Sequence, residues 1–284
     1  MGVWISADLM ENMHDLQTAL AAAKDSRAVT HVLIGNEALF FDIISPKYLY
    51  LYLKYADTQT KKPLSTGEIV STWDEYKMLS ELSDFIAIHV FPYWNNVPVE
   101  DAINYLDGEY SFMEKIFPDK EIVVAETGWP SNGVDRGPSE ATLLNQAIYI
   151  RGVSKYLDGK KVRYNIIEAF DQPWKIFGSE KHAGGSFGVF DDQGREKFSL
   201  SGPLSLYGSS FMVRILDNTL AKIADKIPQK YHALDIFSLG SINILLKKIG
   251  LNSDIGLLTS LLFLVTSILY GWFGGHLRNK AFTA

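Results

Sequence analysis

The stretch IVVAETGWPS, residues 122–131, places a glutamate directly after a short apolar run. Ile122 to Ala125 is rich in β-branched residues, a pattern that predicts a strand. Glu126 then stands at the carboxyl end of that strand. In barrels of parallel strands, the active site lies at this edge. The stretch therefore predicts an α/β fold in which Glu126 belongs to a functional site.

Similar apolar runs occur elsewhere in the first 170 residues, separated by segments long enough to form helices. Strands that alternate with helical patterns favour a parallel sheet joined by right-handed crossovers. The six predicted strands are Val3 to Ser6, His31 to Gly35, Pro63 to Thr66, Phe85 to Phe91, Ile122 to Ala125 and Tyr164 to Ala169. The predicted fold class is therefore α/β.

Turns and helix starts are predicted from local signals. Helix N-termini are expected where capping residues precede helical patterns. These signals are Asp8, Ser45 before Pro46, Thr72 with Glu75 as a capping box, and Ser139. After the sixth strand, GVFDDQGREKF predicts a β-hairpin that turns at Asp192-Gln193-Gly194.

Composition excludes several classes of function. The formal net charge is −6, and without a basic surface nucleic acid is not an expected partner. There are no cysteines, so disulfides, thiolate metal sites and cysteine nucleophiles are excluded. The six histidines show no metal-ligand spacing. We predict neither a metal nor a cofactor.

A second glutamate, Glu37, follows the predicted strand in VLIGNEAL, residues 32–39. Cleavage of a glycosidic bond needs one carboxylic acid and one carboxylate on opposite sides of the anomeric carbon. Two strand-end glutamates supply this pair. A single strand-end glutamate is more often part of a structural ion pair, so the prediction depends on both Glu37 and Glu126.

The motifs around these glutamates resemble glycoside hydrolase family 17, the β-1,3-glucanases and related β-glucan transglycosylases. The resemblance is carried by Gly35-Asn36-Glu37, by ETGWPS at 126–131 and by DFIAIHVFPYW at 84–94. It covers roughly residues 2 to 200, including DQPWK at 171–175 and the predicted hairpin. It implies a (β/α)8 TIM-type barrel.

The resemblance also implies a retaining mechanism, with Glu37 as the general acid/base and Glu126 as the nucleophile. Their carboxyl groups should then lie ~5 to 5.5 Å apart. Asn36 would bond the sugar 2-hydroxyl. Tyr93 resembles a family tyrosine near the nucleophile, and its phenol either bonds Glu126 or packs in the core.

Further substrate-binding residues are expected at the same edge of the sheet. Aromatic rings there either stack on glucose units or pack in the core. These rings belong to Phe91, Tyr93, Trp94, Trp129 and Trp174, of which we assign Tyr93, Trp129 and Trp174 to substrate. Glu168 and Lys175 are implied to form a polar network at the site. Gln172 stands where the family commonly has an acid, and Glu68 points either into the cleft or into solvent.

The positions of the glutamates predict an incomplete barrel. In the family, the acid/base follows the fourth strand and the nucleophile the seventh. Here they follow the second and the fifth predicted strands, so the interval is kept and the first two βα units are missing. We assign residues 1–203 to this partial glycosidase domain.

The C-terminal part is predicted to anchor the chain in a membrane. Residues 204–254 read as an amphipathic helical linker. Residues 255–275 contain 21 residues without a charge, enough to cross a hydrocarbon core of ~30 Å. Residues 276–284 form a short tail. Basic residues flank the span on both sides, so they do not decide its orientation.

The leading functional hypothesis is a membrane-anchored retaining hydrolase or transglycosylase that acts on β-1,3-glucan. Its catalytic domain is expected outside the membrane, with membrane lipid around the C-terminal helix. The alternative is an inactive β-glucan-binding or scaffold domain, associated with a membrane glycosyltransferase of a glucan-synthesis assembly. A third reading takes the span as the first of several helices of a longer membrane protein.

Overall fold

The computed structural model describes residues 1–177 and 181–207. Within these ranges, six parallel strands form one sheet in sequential order. The strands are β1 Gly2–Val3, β2 Val32–Asn36, β3 Leu64–Ile69, β4 Phe85–His89, β5 Glu121–Thr127 and β6 Tyr164–Ile166. The helices are α1 Leu9–Asp25, α2 Pro46–Gln59, α3 Val70–Glu75, α4 Ala102–Ile116, α5 Leu143–Lys160 and α6 Lys181–Gly184. A strand occurs at each of the six predicted places, but the bounds differ, most for the first, which is predicted at Val3 to Ser6 and found at Gly2–Val3.

The outer face of the sheet packs against the helices. The main core combines alternate strand residues with the apolar stripes of α1, α2, α4 and α5, and examples are Val3, Ile34, Ile88, Val124, Leu16, Leu53, Leu106 and Val153. A second, smaller cluster lies on the inner face, and its members are Phe85, Ala87, Val123 and Ala125, with Leu33 against them. Side chains of a strand alternate between faces, so β4 and β5 contribute to both cores.

The sheet is strongly curled. Arg163, just before β6, lies 2.7 Å from the ring of His31, just before β2. Four strand spacings separate β2 from β6, or ~19 Å across a flat sheet. Two side chains cannot span that distance, so the strands must bend around a common axis. The architecture is a curled parallel sheet with helices outside, consistent with part of a TIM-type barrel.

The inner face is open next to β1. Val3 and Ile5 lie in the helix-facing core, so Trp4 between them faces the other side. Its side chain is 67% exposed. Within the described residues, β1 and β6 are the edges of the sheet.

Two of the predicted helix caps are wrong. Asp8 does cap α1 and accepts hydrogen bonds from the backbone amides of Met10 and Glu11. Thr72, however, lies inside α3, which begins at Val70. Ser139 donates its hydroxyl proton to the Val97 carbonyl instead of capping α5, and Thr142 takes that role. In both places a tertiary contact or an earlier helix start overrides the local signal.

The hairpin after β6 is confirmed. The Gly194 amide donates to the Asp191 carbonyl, Gly194 has a φ of +76°, and Phe190 pairs with Glu196 in an antiparallel bridge. No helix among the described residues is long and apolar enough to cross a bilayer. The predicted span at 255–275 and tail at 276–284 lie outside those residues, as does the predicted linker beyond residue 207.

Candidate active site

The backbone at the end of β2 is shaped to present Glu37. Glu37 has a φ of +53° and Gly35 a φ of +85°, both in the left-handed region. A side chain there costs roughly 1–2 kcal/mol, and such conformations concentrate at functional sites. The Glu37 amide donates to the Gly67 carbonyl across a distance of 2.7 Å. This bond to the neighbouring strand holds the unusual conformation in place.

Glu126 lies near the carboxyl end of β5, beside an irregularity in the ladder. The register with β4 shifts between Ile88 and His89, so that His89 pairs with Glu126. The Val90 amide donates to the Glu126 carbonyl. Bulges of this kind redirect side chains next to active sites. The shift places His89 and Glu126 side by side at the edge where β2 presents Glu37.

One imidazole contacts both glutamates. The Nδ1 atom of His89 lies 2.8 Å from Glu37 Oε1 and 3.8 Å from Glu126 Oε2. The two oxygens therefore lie no more than ~6.6 Å apart, an upper limit that admits the ~5 to 5.5 Å spacing of retaining sites and leaves out nearly all of the ~6.5–9.5 Å range of inverting ones. The side chains of Glu37 and Glu126 are 15% and 26% exposed. Both carboxylates are thus accessible to a ligand while His89 lies beneath them.

His89 is fully enclosed by protein, with its side chain 0% exposed. Burial opposes the charged imidazolium, but the hydrogen bond with Glu37 and the charges of Glu126 and Glu37 outweigh it, so the pKa of His89 is raised. The ring lies against Gly67, where an added Cβ would come within 2.6 Å of Nε2. A residue with a side chain at 67 would displace the ring.

Glu68 is a buried carboxyl group within β3 and does not reach solvent. Its Oε1 accepts from the Leu39 amide at 2.9 Å and its Oε2 from the Phe40 amide at 3.3 Å. These bonds anchor the loop that follows Glu37. Burial, and to a lesser extent the charge of Glu37, raises the pKa of Glu68 to about 7.

This raised pKa predicts a loss of stability with rising pH. The folded state holds the proton of Glu68 up to about pH 7, whereas the unfolded chain releases it near pH 4.5. The stabilisation is full below pH 4.5, declines as the pH rises from there to about 7 and is gone above it, a loss of about 3 kcal/mol for a difference of this size. Urea unfolding at pH 4.5, 6 and 8 should show the decline in the natural chain.

The variant Glu68→Gln should show a smaller decline, since it has no proton to lose. Glu196→Gln, which removes an exposed carboxylate on the hairpin, is the matched control and should keep the natural slope. An equal slope in Glu68→Gln and the natural chain would contradict this assignment.

Most of the ETGWPS motif holds the framework together. Thr127 donates to the Val90 carbonyl, and the Trp129 indole donates to the Glu140 carbonyl. Gly128 lies so close to the residue that follows β6 that a Cβ would come within 2.1 Å of the Ile167 carbonyl oxygen. The motif therefore joins β5 to β4, to β6 and to the segment before α5, with Glu126 as its accessible member.

The predicted aromatic residues occupy different environments. Tyr93 and Trp129 are fully buried and their rings pack edge to face. The Tyr93 hydroxyl donates to the Val134 carbonyl at 2.7 Å, so its proton is not available to Glu126. Trp174, in contrast, is 66% exposed. Of the three rings assigned to substrate, only Trp174 lies on the surface of the structure.

The other two aromatic residues expected at this edge are neither fully buried nor fully exposed. Phe91 and Trp94 are half-buried and both contact the ring of Phe187. The Arg136 guanidinium lies over Trp94, 5.2 Å from the ring centre. This ring therefore already has a cationic neighbour on one face.

The predicted polar residues after β6 do form a network. Glu168 forms an ion pair with Lys175 at 3.1 Å, and the amide of Gln172 donates to the same carboxylate. The amide at position 172 thus serves as a donor to Glu168. Asn36, the last residue of β2, is half-buried next to Glu37.

The sequence alone does not assign two of the site residues. It predicts no role for His89, and it leaves open whether Glu68 points into the cleft or into solvent. The available signal was their position at the carboxyl ends of strands flanking β2 and β5. No group of three potential ligands suited to a metal ion occurs among the described residues.

Comparison with known proteins places the chain in a family. The probable β-glucosidase btgE of Neosartorya fischeri is 26% identical over 182 residues, which cover 62% of this chain and 32% of the relative. The chain thus matches about a third of that protein. A glucan 1,3-beta-glucosidase of Saccharomyces cerevisiae is 27% identical, over 70% of this chain and 71% of the relative.

A solved structure is similar over the same region. The glycoside hydrolase family 17 β-1,3-glucanosyltransferase of Rhizomucor miehei superposes with a TM-score of 0.62 at 25% identity, covering 68% of this chain and 72% of that one. The family model of the BtgE/BtgC glycoside hydrolase domain matches residues 1–188, more than half of the chain. The chain therefore belongs to the BtgE/BtgC glycoside hydrolase family, which is homologous to the family 17 β-1,3-glucanosyltransferases.

Proposed function

We propose that this chain carries a retaining glycosidase site for β-1,3-glucan. The observation that carries the proposal is the approach of Glu37 and Glu126 to the same nitrogen of His89, which keeps their carboxyl oxygens within ~6.6 Å. The printed activities of the yeast and Rhizomucor miehei relatives support β-1,3-glucan as the substrate class.

The reaction divides the chemistry between the two carboxyl groups. A Glu126 oxygen attacks the anomeric carbon while Glu37 gives its proton to the departing glycosidic oxygen, so the glycosidic bond breaks and a glucosyl ester forms. In the second step, Glu37 takes a proton from water or from a sugar hydroxyl. The oxygen of that water or hydroxyl attacks the anomeric carbon, and the ester bond breaks. The Glu126 carboxylate and the protonated Glu37 are both restored.

Other predicted residues have supporting roles in this proposal. Asn36, beside the acid/base, is placed to bond the sugar 2-hydroxyl, a contact that strengthens in the transition state. Trp174 offers an exposed ring to a glucose face. The Glu168–Lys175 ion pair would supply polar contacts to the sugar beside that ring. We propose no role at the sugar for the buried rings of Tyr93 and Trp129.

Product sizing tests the proposal and separates its two forms. The purified full chain would be incubated with a β-1,3-glucan oligosaccharide and the products measured by mass spectrometry. Shorter products alone indicate hydrolysis, and products longer than the substrate indicate glucosyl transfer. An absence of both from a folded preparation would contradict the proposal.

A second candidate function is an inactive β-glucan-binding domain. It is favoured by the open inner face of the sheet, where Trp4 is largely exposed and β1 and β6 are edges within the described residues. A fluoroglucoside that traps the covalent intermediate would discriminate. An adduct on Glu126 supports the enzyme, whereas binding of glucan without any adduct supports the binding domain.

Two further proposals rest on the sequence. We propose that two additional βα units complete the barrel, because the glutamates keep the family interval but follow earlier strands. We also propose that residues 255–275 anchor the chain in a membrane, with the glycosidase domain outside. Sequencing upstream of the Met1 codon tests the first, and protease accessibility in intact cells tests the second.

A further inference from the structure

His89 is the residue whose Nδ1 atom lies within 4 Å of both carboxylates of the proposed site. It is a neighbour of Glu126 in the β4–β5 ladder and a hydrogen-bond partner of Glu37 across β3. A third carboxyl group, that of Glu68, belongs to β3, which lies between β2 and β4. A change at His89 therefore affects the geometry of both glutamates at once.

We propose that His89 is a positioning residue that holds Glu37 in line with Glu126 and shares a proton with it. This inference rests on the glycosidase function proposed above. The 2.8 Å separation from Glu37 Oε1 is a hydrogen bond, whereas the 3.8 Å separation from Glu126 Oε2 is too long for one and acts through charge. The imidazole thus orients the acid/base directly and attracts the nucleophile electrostatically.

The packing leaves the ring in a single orientation. Its Nε2 atom is buried and has no hydrogen-bond partner among the described residues. It faces Gly67, which has no side chain to push it away. A flip of the ring would move Nδ1 away from Glu37, the only hydrogen-bonding partner of this ring that the structure describes. The proton shared in this site therefore lies between Nδ1 and Glu37.

The charge around His89 changes during the proposed reaction. The ionisable groups facing the ring are Glu37 from the end of β2, Glu68 from β3 and Glu126 from β5. Formation of the glucosyl ester removes the charge of Glu126. The imidazole then holds its proton less tightly than it does before the ester forms.

A titration tests the coupling without requiring activity. The full chain, purified with detergent and labelled with ¹⁵N at histidine, would be titrated by NMR, and the His89 signal assigned by its loss in His89→Asn. We expect a pKa above 6.5 for His89, lowered by about one pH unit in Glu37→Gln and in Glu126→Gln. Glu196→Gln should leave it unchanged. A value at or below 6.5, or a value that neither glutamate variant alters, would overturn the proposal.

Kinetics with the same oligosaccharide then test positioning. His89→Ala should lower kcat/KM about 10²-fold, the effect of a small misplacement of catalytic groups. His89→Asn places an amide donor near the position of Nδ1 and should recover at least about tenfold, with an altered pH profile because asparagine does not titrate. Equal losses in both folded variants would contradict a positioning role.

Gly67→Ala provides an independent variant that keeps the histidine. The added Cβ would stand 2.6 Å from Nε2, so the ring must shift, and both the His89 pKa and kcat/KM should fall. An unchanged pKa and rate would count against the proposal. If the natural chain produces no products, the proposed function fails, while the NMR titration still decides whether His89 couples the two glutamates.

Discussion

Glu126→Gln is expected to abolish measurable turnover, with a loss on the order of 10⁴-fold in kcat. The amide cannot attack the anomeric carbon, so no glucosyl ester forms. The substitution is close to isosteric, and the group it changes is 26% exposed, so the fold should remain intact. Product sizing with a β-1,3-glucan oligosaccharide and mass detection of the trapped adduct measure the effect.

The matched variant Glu37→Gln should behave differently. It removes the proton needed by a poor leaving group and should slow oligosaccharide cleavage by about 10² to 10⁴-fold. A substrate with a dinitrophenyl leaving group, which needs no protonation, should still form the Glu126 adduct. Adduct formation in Glu126→Gln, or equal losses of Glu37→Gln on both substrates, would contradict the assigned roles.

Gly128→Ala is expected to lower the free energy of unfolding by about 3 kcal/mol or more, the upper range for overpacking. The new Cβ would stand 2.1 Å from the Ile167 carbonyl oxygen and 3.0 Å from the Phe187 ring. Backbone cannot yield as a flexible side chain does, so β5 and the segment after β6 must separate. Urea denaturation monitored by tryptophan fluorescence measures the loss.

Gly108→Ala is the control for this substitution. Gly108 lies inside α4 with nothing within 4 Å of an added Cβ. Alanine there should raise the free energy of unfolding by roughly 0.5–1 kcal/mol, since glycine weakens helix interiors. If both alanine variants had similar stability, the close contact at Gly128 would not be the reason for the glycine in this motif.

The strands were predictable because each is a compact apolar run between helical patterns. The observed bounds differ from these runs by a few residues, and β1, which pairs with β2 alone within the described residues, is the shortest strand. Glu68 shows how a shifted strand end changes the predicted environment of a residue. The predicted strand ended at Thr66, but β3 continues to Ile69, so Glu68 is a buried member of the strand.

Local sequence signals gave wrong predictions where contacts with residues far away in the sequence decide what a side chain binds. Ser139 has the chemistry of a helix cap but bonds the Val97 carbonyl. Tyr93 and Trp129 follow strands at the edge of the proposed site, yet they pack against each other in the core. Sequence spacing identifies the edge of the sheet on which a residue stands but not whether its ring faces protein or solvent.

By itself, the sequence determined the parallel α/β architecture and the two glutamates, one just after β2 and one near the end of β5. These features depend on local patterns and on the rule that parallel strands end at one edge. Only the tertiary structure decided that His89 connects the glutamates, that Glu68 is buried and that Gly67 leaves room for the imidazole. Those properties depend on the curl of the sheet and on register shifts, which bring together residues that are 52 positions apart.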